Sequence, residues 1–337
     1  MSVEAPVAPA VGSRAAAFSF ERRDLVRAGI VAVILLVALF FIPGVLSTFW
    51  VKIFTGAAIT SVVAAGLGLL YGRVGMASLG QVALLGVGAW TTMRLSFAWP
   101  HAPFLVLVLL GALVTTVVGV GIGLPALRLS GLYLALVTLM AAAAVNIVLT
   151  SLKFPNGGPG FKGIVKDVQK RKEMRRPAIA LGDAAYFRYV VIVAFICFML
   201  YAIHLARKPG RAWASVRQSE AAALSAGINI TVYKMWAFAL ASFVTGIAGA
   251  LLAARVGSPQ PANFATNESL IVLAVVILAG YNSLWAAVGA GLLKEVFPEF
   301  LKDRGVSDRI GLILFGIGVT INLILTTRAM KKKGLIS

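Results

Sequence analysis

Charge is scarce in this chain: 13% of its 337 residues are Asp, Glu, Lys or Arg, and only 12 are acidic. A soluble globular chain carries about a quarter of its residues charged, so too little polar material is present to cover a water-facing surface. Cysteine is reduced to Cys197, which excludes an intrachain disulfide and any cysteine-built metal site. No G-x-x-x-x-G-K-[ST] run occurs, so the chain has no phosphate loop with which to cradle a nucleotide. What fills the chain instead is apolar: 60% of residues are hydrophobic and mean hydropathy is +0.93.

The charges that exist are clustered, in positions 1–27, 162–188, 207–220, 294–309 and the last ten residues. Between the clusters lie apolar runs near the 17–25 residues that a helix needs to cross about 30 Å of hydrocarbon. Helices are expected at roughly 28–47, 50–71, 74–94, 103–124, 131–152, 188–206, 232–255, 268–280, 284–301 and 309–328. The fold class is therefore an all-α polytopic membrane protein with about ten transmembrane or re-entrant helices and one short cytoplasmic helix. No cleavable signal peptide is expected, because the first apolar run, starting near Gly29, is long enough to span. The net charge of +19 reads as cytoplasmic flanking charge that orients the spans and meets anionic lipid, not as a nucleic-acid surface.

Lys/Arg flanks set the orientation. The N-terminal tail (1–27) with Arg14, Arg22, Arg23 and Arg27, the 209–231 loop preceded by Arg207 and Lys208, and the basic tail (329–337) are all expected in the cytoplasm. These three placements require an even number of crossings between each pair, so 268–301 must be two short segments broken at Gly280-Tyr281-Asn282-Ser283. Broken backbone survives in a bilayer only where protein buries it or water reaches it. The same parity puts the 153–187 loop outside, although it carries Lys166, Lys170, Arg171, Lys172, Arg175 and Arg176. The membrane domain thus covers 28–328, and His101 and His204 fall at opposite faces, where they cannot share a site.

Within the spans, small residues recur at four-residue spacing: Gly119 and Gly123, and Gly246 and Ala250. Such spacing lets helix backbones approach closely, since packing holds helices together in lipid. Intramembrane polar residues are few. Ser78, Gln81, Asn146, Tyr281 and Asn282 are the candidates for a solute path, with Asn322 in the last span. No ionisable residue is expected near the centre of a span, Lys294, Glu295 and Glu299 falling toward one end. That pattern argues against a proton-driven secondary transporter and leaves Na⁺ coupling through carbonyls and amides open.

The 209–231 segment reads Pro209-Gly-Arg-Ala-Trp-Ala-Ser-Val-Arg-Gln-Ser-Glu-Ala-Ala-Ala-Leu-Ser-Ala-Gly227-Ile-Asn229. One alanine-rich helix over 212–226 is expected, with Trp213, Val216 and Leu224 on one face, Arg217 pairing with Glu220, and Gly227 as the left-handed stop. It is too short and polar to cross a membrane, and suits a surface helix, a linker, or a helix docked in a groove of a soluble partner.

Glu220-Ala-Ala-Ala followed by Gly227-Ile-Asn229 resembles the coupling loop of ABC importer permeases, specifically those of branched-chain amino acid importers and their urea and amide relatives. Gly66-Leu-Gly-Leu-Leu-Tyr-Gly72 through Gln81, Leu127-Arg-Leu-Ser-Gly-Leu-Tyr-Leu-Ala-Leu-Val-Thr-Leu139 and Asn156-Gly-Gly-Pro-Gly-Phe-Lys-Gly-Ile164 resemble further blocks of that family, which together cover most of residues 55–330. Ala279-Gly-Tyr-Asn-Ser283 departs from the Gly-Gly-x-Gly-Ser turn usual there. The resemblance implies a multi-pass permease subunit in a bacterial plasma membrane, not an enzyme and without a cofactor of its own. Its implied partners are two ABC ATPase subunits, a second permease or a copy of itself, and an external binding protein. Arg211, Trp213, Arg217, Glu220, Ala221 and Gly227 would couple to the ATPase. The basic stretch from Lys166 to Arg176 is the candidate dock for the binding protein. Branched-chain or related amino acids are the expected cargo, with urea, short amides or small organic acids as the alternative and an ATPase-independent transporter as the rival.

Overall fold

The computed structural model describes residues 31, 33–126, 129, 131–152, 174–281, 283–305, 317–318 and 321. Eleven helices are used below: α1 (Val33–Val45), α2 (Thr48–Val74), α3 (Gln81–Ala98), α4 (Phe104–Ala126), α5 (Gly131–Ser151), α6 (Asp183–Ala206), α7 (Lys208–Gln218), α8 (Glu220–Ser225), α9 (Ile230–Val256), α10 (Thr266–Ala279) and α11 (Leu284–Asp303). No β-strand occurs among the described residues. Five helices, α2, α4, α5, α6 and α9, are long and apolar enough to cross a bilayer; α1 and α10 are shorter apolar helices. The protein is therefore a polytopic helical membrane protein.

Burial sorts the five long helices into two classes. In α2 and α9 the apolar windows are 78% and 83% buried, whereas those of α4, α5 and α6 are 22–33% buried. The first pair is the axis of the bundle, and the other three present Leu113, Val117, Tyr133, Met140 and Ile196 outward. Since lipid is as apolar as these side chains, the axis is held by close packing. Gly246 of α9 meets Gly88 of α3 on one side and Ala112 and Thr115 of α4 on another; a Cβ at Gly88 would sit 2.6 Å from the Gly246 carbonyl oxygen. Gly246 and Gly119, each from one of the four-residue pairs noted in the sequence, thus serve close helix contact, Gly119 lying against Ser242.

Two ends of the bundle can be told apart. The start of α2 and the start of α6 lie together, joined by Lys52 and Asp183 at 3.5 Å. At the other end α6 runs into α7, α9 begins, and Gly75 after α2 lies against Arg217 of α7.

Two differences from the sequence expectations, the first and third below, stand beside one agreement. First, the helix expected over 74–94 begins only at Gln81. α2 ends in a π-helical turn, Gly68–Val74, then Gly75 turns left-handed (φ +83°) and 75–80 run non-helically into the bundle. Met76, Ser78 and Leu79 are buried there, so their backbone needs partners. The Met76 amide donates to the Leu70 carbonyl (2.8 Å) and the Leu79 amide to Thr138 Oγ1 (3.0 Å). Second, the break between 268–280 and 284–301 falls where parity put it: α10 stops at Ala279, Gly280 takes φ +100°, and Ser283 caps α11 by accepting from the Trp285 amide. Third, Lys294 and Glu295 do not lie toward one end; they occupy the middle of the 20-residue α11.

Candidate functional site

At the α7 end, the surface segment is two helices and not one. Ser219 is extended (φ −162°, ψ 120°) and its Oγ accepts from the Ala222 amide, capping α8 while α7 ends at Gln218. A cap of this kind satisfies an amide that a short helix otherwise leaves open. The kink redirects the faces. Trp213, Val216 and Ala223 are buried, but Leu224 is 60% exposed, so it leaves the face it was expected to share. Arg217 and Glu220 no longer stand in a continuous helix, where a three-residue spacing would pair them. Glu220 instead bonds to Lys234 of α9 at 2.7 Å, and Lys234 is buried.

Anchors fix this turn to the bundle. Trp213 is fully buried and its Nε1 donates to the Tyr233 carbonyl at 2.8 Å. Gly227 (φ +75°) closes α8 with paired bonds, its own amide to Leu224 O (2.9 Å) and the Ile228 amide to Ala223 O (2.9 Å). That is the Schellman arrangement, which needs the left-handed residue that glycine supplies. Asn229 then caps α9 through Val232 N. Arg211 and Ala221 remain exposed. Arg217 lies over the Tyr281 ring at 5.5 Å, and Tyr281 meets Tyr71 edge-on at 5.0 Å. Gly72 lies against the Tyr281 backbone. The surface turn thereby touches both the π-helical end of α2 and the α10–α11 break.

The polar candidates inside the bundle are mostly engaged in holding it together. Ser78 is buried, and its Oγ accepts weakly from Gly80 N. Gln81 is buried at the first turn of α3, with Oε1 accepting from Thr245 Oγ1 of α9 at 2.8 Å. Asn146 Nδ2 donates to Phe264 O (2.8 Å) and Pro261 O (3.4 Å), tying α5 to the short 3₁₀ turn Pro261–Phe264. Asn282, Lys166, Lys170, Arg171 and Lys172 lie outside the described residues. Of the remaining basic-loop residues, Arg175 is exposed, while Arg176 is held by Asp183 at 2.8 Å and lies over Tyr186.

Residues that the sequence reading did not bring together form a charged network among α2, α9, α10 and α11. Glu295 of α11 accepts from Thr60 Oγ1 (3.1 Å) and faces Arg255 of α9 (3.7 Å) and Lys294 (3.5 Å). Lys294 also reaches Glu268 of α10 at 3.2 Å. The network borders a cavity of about 330 Å³ that also has an apolar wall, including Ile59, Val63, Val82, Leu85 and Val272. Glycine makes this proximity possible: Gly291 lets α11 close onto Ala57 and Ser61, and Gly56 leaves room for Arg255 and Glu295 against α2. The charge of Arg255, Glu268, Lys294 and Glu295 was visible in the sequence, but the tie from Glu295 to Thr60 spans 235 positions and carries no local signal. No group of three or more potential metal ligands occurs among the described residues.

Comparison with known proteins agrees with the helical pattern. The chain is 33% identical over 279 residues to the high-affinity branched-chain amino acid transport system permease protein LivM of Salmonella typhimurium, and equally to LivM of Escherichia coli. Each alignment covers 77% of this chain and 65% of the relative, so the chain matches somewhat under two-thirds of those proteins' length. A shorter stretch of 147 residues is 24% identical to the fructose import permease protein FrcC of Rhizobium meliloti, covering 42% of this chain and 41% of that protein. No solved structure matches the chain. Residues 49–323 match the family described as the branched-chain amino acid transport system permease component, and the chain belongs to that family.

Proposed function

We propose that this chain is the membrane-spanning permease subunit of an ABC importer in the bacterial inner membrane, passing branched-chain or related aliphatic amino acids. The observation that carries the reading is the family match over 49–323, together with a rigidly anchored surface turn at α7–α8 where the coupling motif lies. Two ATPase subunits would grip this turn, a second permease would complete the path, and an external binding protein would deliver the solute.

The mechanism follows from what the turn touches. A push on α7–α8 is delivered through Trp213 to α9, through the Glu220–Lys234 pair to the same helix, and through Arg217 to Tyr281. Closure of an ATPase dimer binds one position of the turn better than another and so shifts the bundle between two states. The short helices α1, α10 and α11, with the apolar 309–328 run, would bring the crossings to about ten and set the α7 end in the cytoplasm. The exposed Arg175 and its basic neighbours would then face the binding protein, giving salt-dependent docking.

The relatedness to a fructose permease leaves a sugar as the second reading. The test is uptake by the reconstituted complex. Leucine uptake that requires ATP and vanishes with a hydrolysis-dead ATPase subunit supports the reading. ATPase-independent uptake, or fructose uptake without leucine uptake, ends it.

A further inference from the structure

We infer that the cavity among α2, α3, α9, α10 and α11 is itself a binding site for an aliphatic α-amino acid, with the Arg255–Glu295–Lys294–Glu268 network receiving its two head-group charges. The inference deepens the importer reading and rests on it for the identity of the solute.

The cavity has the right size and two distinct chemistries. Its volume of about 330 Å³ lies within the range of small-molecule sites. One wall is aliphatic, formed by Ile59, Val63, Val82, Leu85, Leu252 and Val272. The other presents two cations and two carboxylates whose charges sum to zero. An isolated anion or cation entering this wall meets repulsion as well as attraction. A zwitterion offers a carboxylate and an ammonium a few ångströms apart, so it can exchange partners with both signs at once and strand no buried charge.

The geometry favours such an exchange. Charge-assisted N–H···O bonds are about 2.7–2.9 Å long when fully formed. Here the separations are 3.7 Å for Arg255–Glu295, 3.5 Å for Lys294–Glu295 and 3.2 Å for Lys294–Glu268. Glu295 has a neutral anchor, Thr60, which holds Oε1 and leaves Oε2 toward Arg255. The loosest pair therefore offers its guanidinium to the incoming carboxylate, and Glu268, bonded to Lys294 at 3.2 Å, is the acceptor for the ammonium. Each of the four charged side chains keeps about a fifth to a third of its surface accessible, so a solute can reach it.

The same chemistry is carried by zwitterionic lipid headgroups, and the test separates the two sources. The full chain carrying Val256→Cys is placed in nanodiscs of phosphatidylglycerol, which has no zwitterionic headgroup. Val256 lines the cavity and is 45% exposed, while the native Cys197 is buried and gives little background. Alkylation of the new thiol by a maleimide is followed against L-leucine, 4-methylpentanoate (carboxylate only) and 3-methylbutylamine (ammonium only). Saturable slowing by leucine, and by neither analogue at equal concentration, is the expected result. Glu268→Gln is expected to raise the leucine concentration required by about tenfold or more. No slowing by leucine, equal slowing by either analogue, or an unchanged requirement in Glu268→Gln overturns the site. Slowing by phosphatidylethanolamine alone, with no further slowing by leucine in either lipid, also overturns it, in favour of a lipid site. Because alkylation needs no ATPase, its failure beside intact ATP-dependent leucine uptake removes the site and leaves the importer reading standing.

Discussion

The α7–α8 turn and the Arg255–Glu295 network are both built from charge and glycine, yet they are assembled in opposite ways. The turn is local: its cap, its stop and its anchor all fall between Trp213 and Lys234. The network draws five residues from four helices, with Thr60 and Glu295 separated by 235 positions. Local assembly gives a part that can be gripped and moved as a unit. Non-local assembly gives a part whose geometry changes whenever the helices shift, which suits a site that must accept and release a solute.

Breaking the turn should have the largest effect. Gly227→Pro cannot adopt φ +75°, because proline is held near −65°, and it also removes the amide that closes α8. Combined with Glu220→Lys, which sets a second cation beside buried Lys234, it is expected to abolish ATPase co-purification and ATP-dependent uptake. Leucine protection of Val256→Cys should survive. Loss of both readouts together would show that the two ends do not behave as separate parts.

Glu295→Ala comes next. It removes the partner shared by Arg255, Lys294 and Thr60, and should lower stability by about 1–3 kcal/mol, read as a fall in the thermal unfolding midpoint in detergent. Adding Lys294→Met should restore part of that loss, since partners in one network couple. Strict additivity would mean that the pairs act independently. Tyr281→Ala should cost about 0.5–1.5 kcal/mol through its lost ring contacts. It should reduce uptake more than ATPase association, because it lies between the turn and the α10–α11 break. Leu224→Ala is the smallest: stability within about 0.5 kcal/mol, since the side chain is exposed, with weaker ATPase association. Unchanged association would remove Leu224 from the gripped surface.

What was legible in the sequence follows the same division. The apolar runs at 103–124 and 232–255 became Phe104–Ala126 and Ile230–Val256, because lipid demands an unbroken apolar stretch. The break after Gly280 was legible from charge parity and from a stretch too long for one ordinary span, and Gly227 from its place after an alanine-rich run. The kink at Ser219 carries a local signal in the sequence, since a serine immediately before Glu-Ala-Ala-Ala is an N-cap pattern. The Glu220–Lys234 pair and the 295-centred network were not readable, since single charges on separate helices do not announce their partners. Nor was the late start of α3, because Met76, Leu79 and Val82 look as apolar in an extended run as in a helix.

The buried extended run before α3 also sets an order of assembly. During synthesis, Leu79 and Gln81 emerge well before Thr138 and Thr245, which bond the Leu79 amide and the Gln81 side-chain oxygen. Until α5 and α9 have been made, an amide and a carboxamide at this depth have no protein partner from those helices, a state that hydrocarbon penalises. The α2–α3 hairpin therefore has reason to wait near the lipid surface or in the insertion machinery. The Gln81–Thr245 bond can close only once α9 has been made, so the helix made third from last among those described supplies the later of these two bonds.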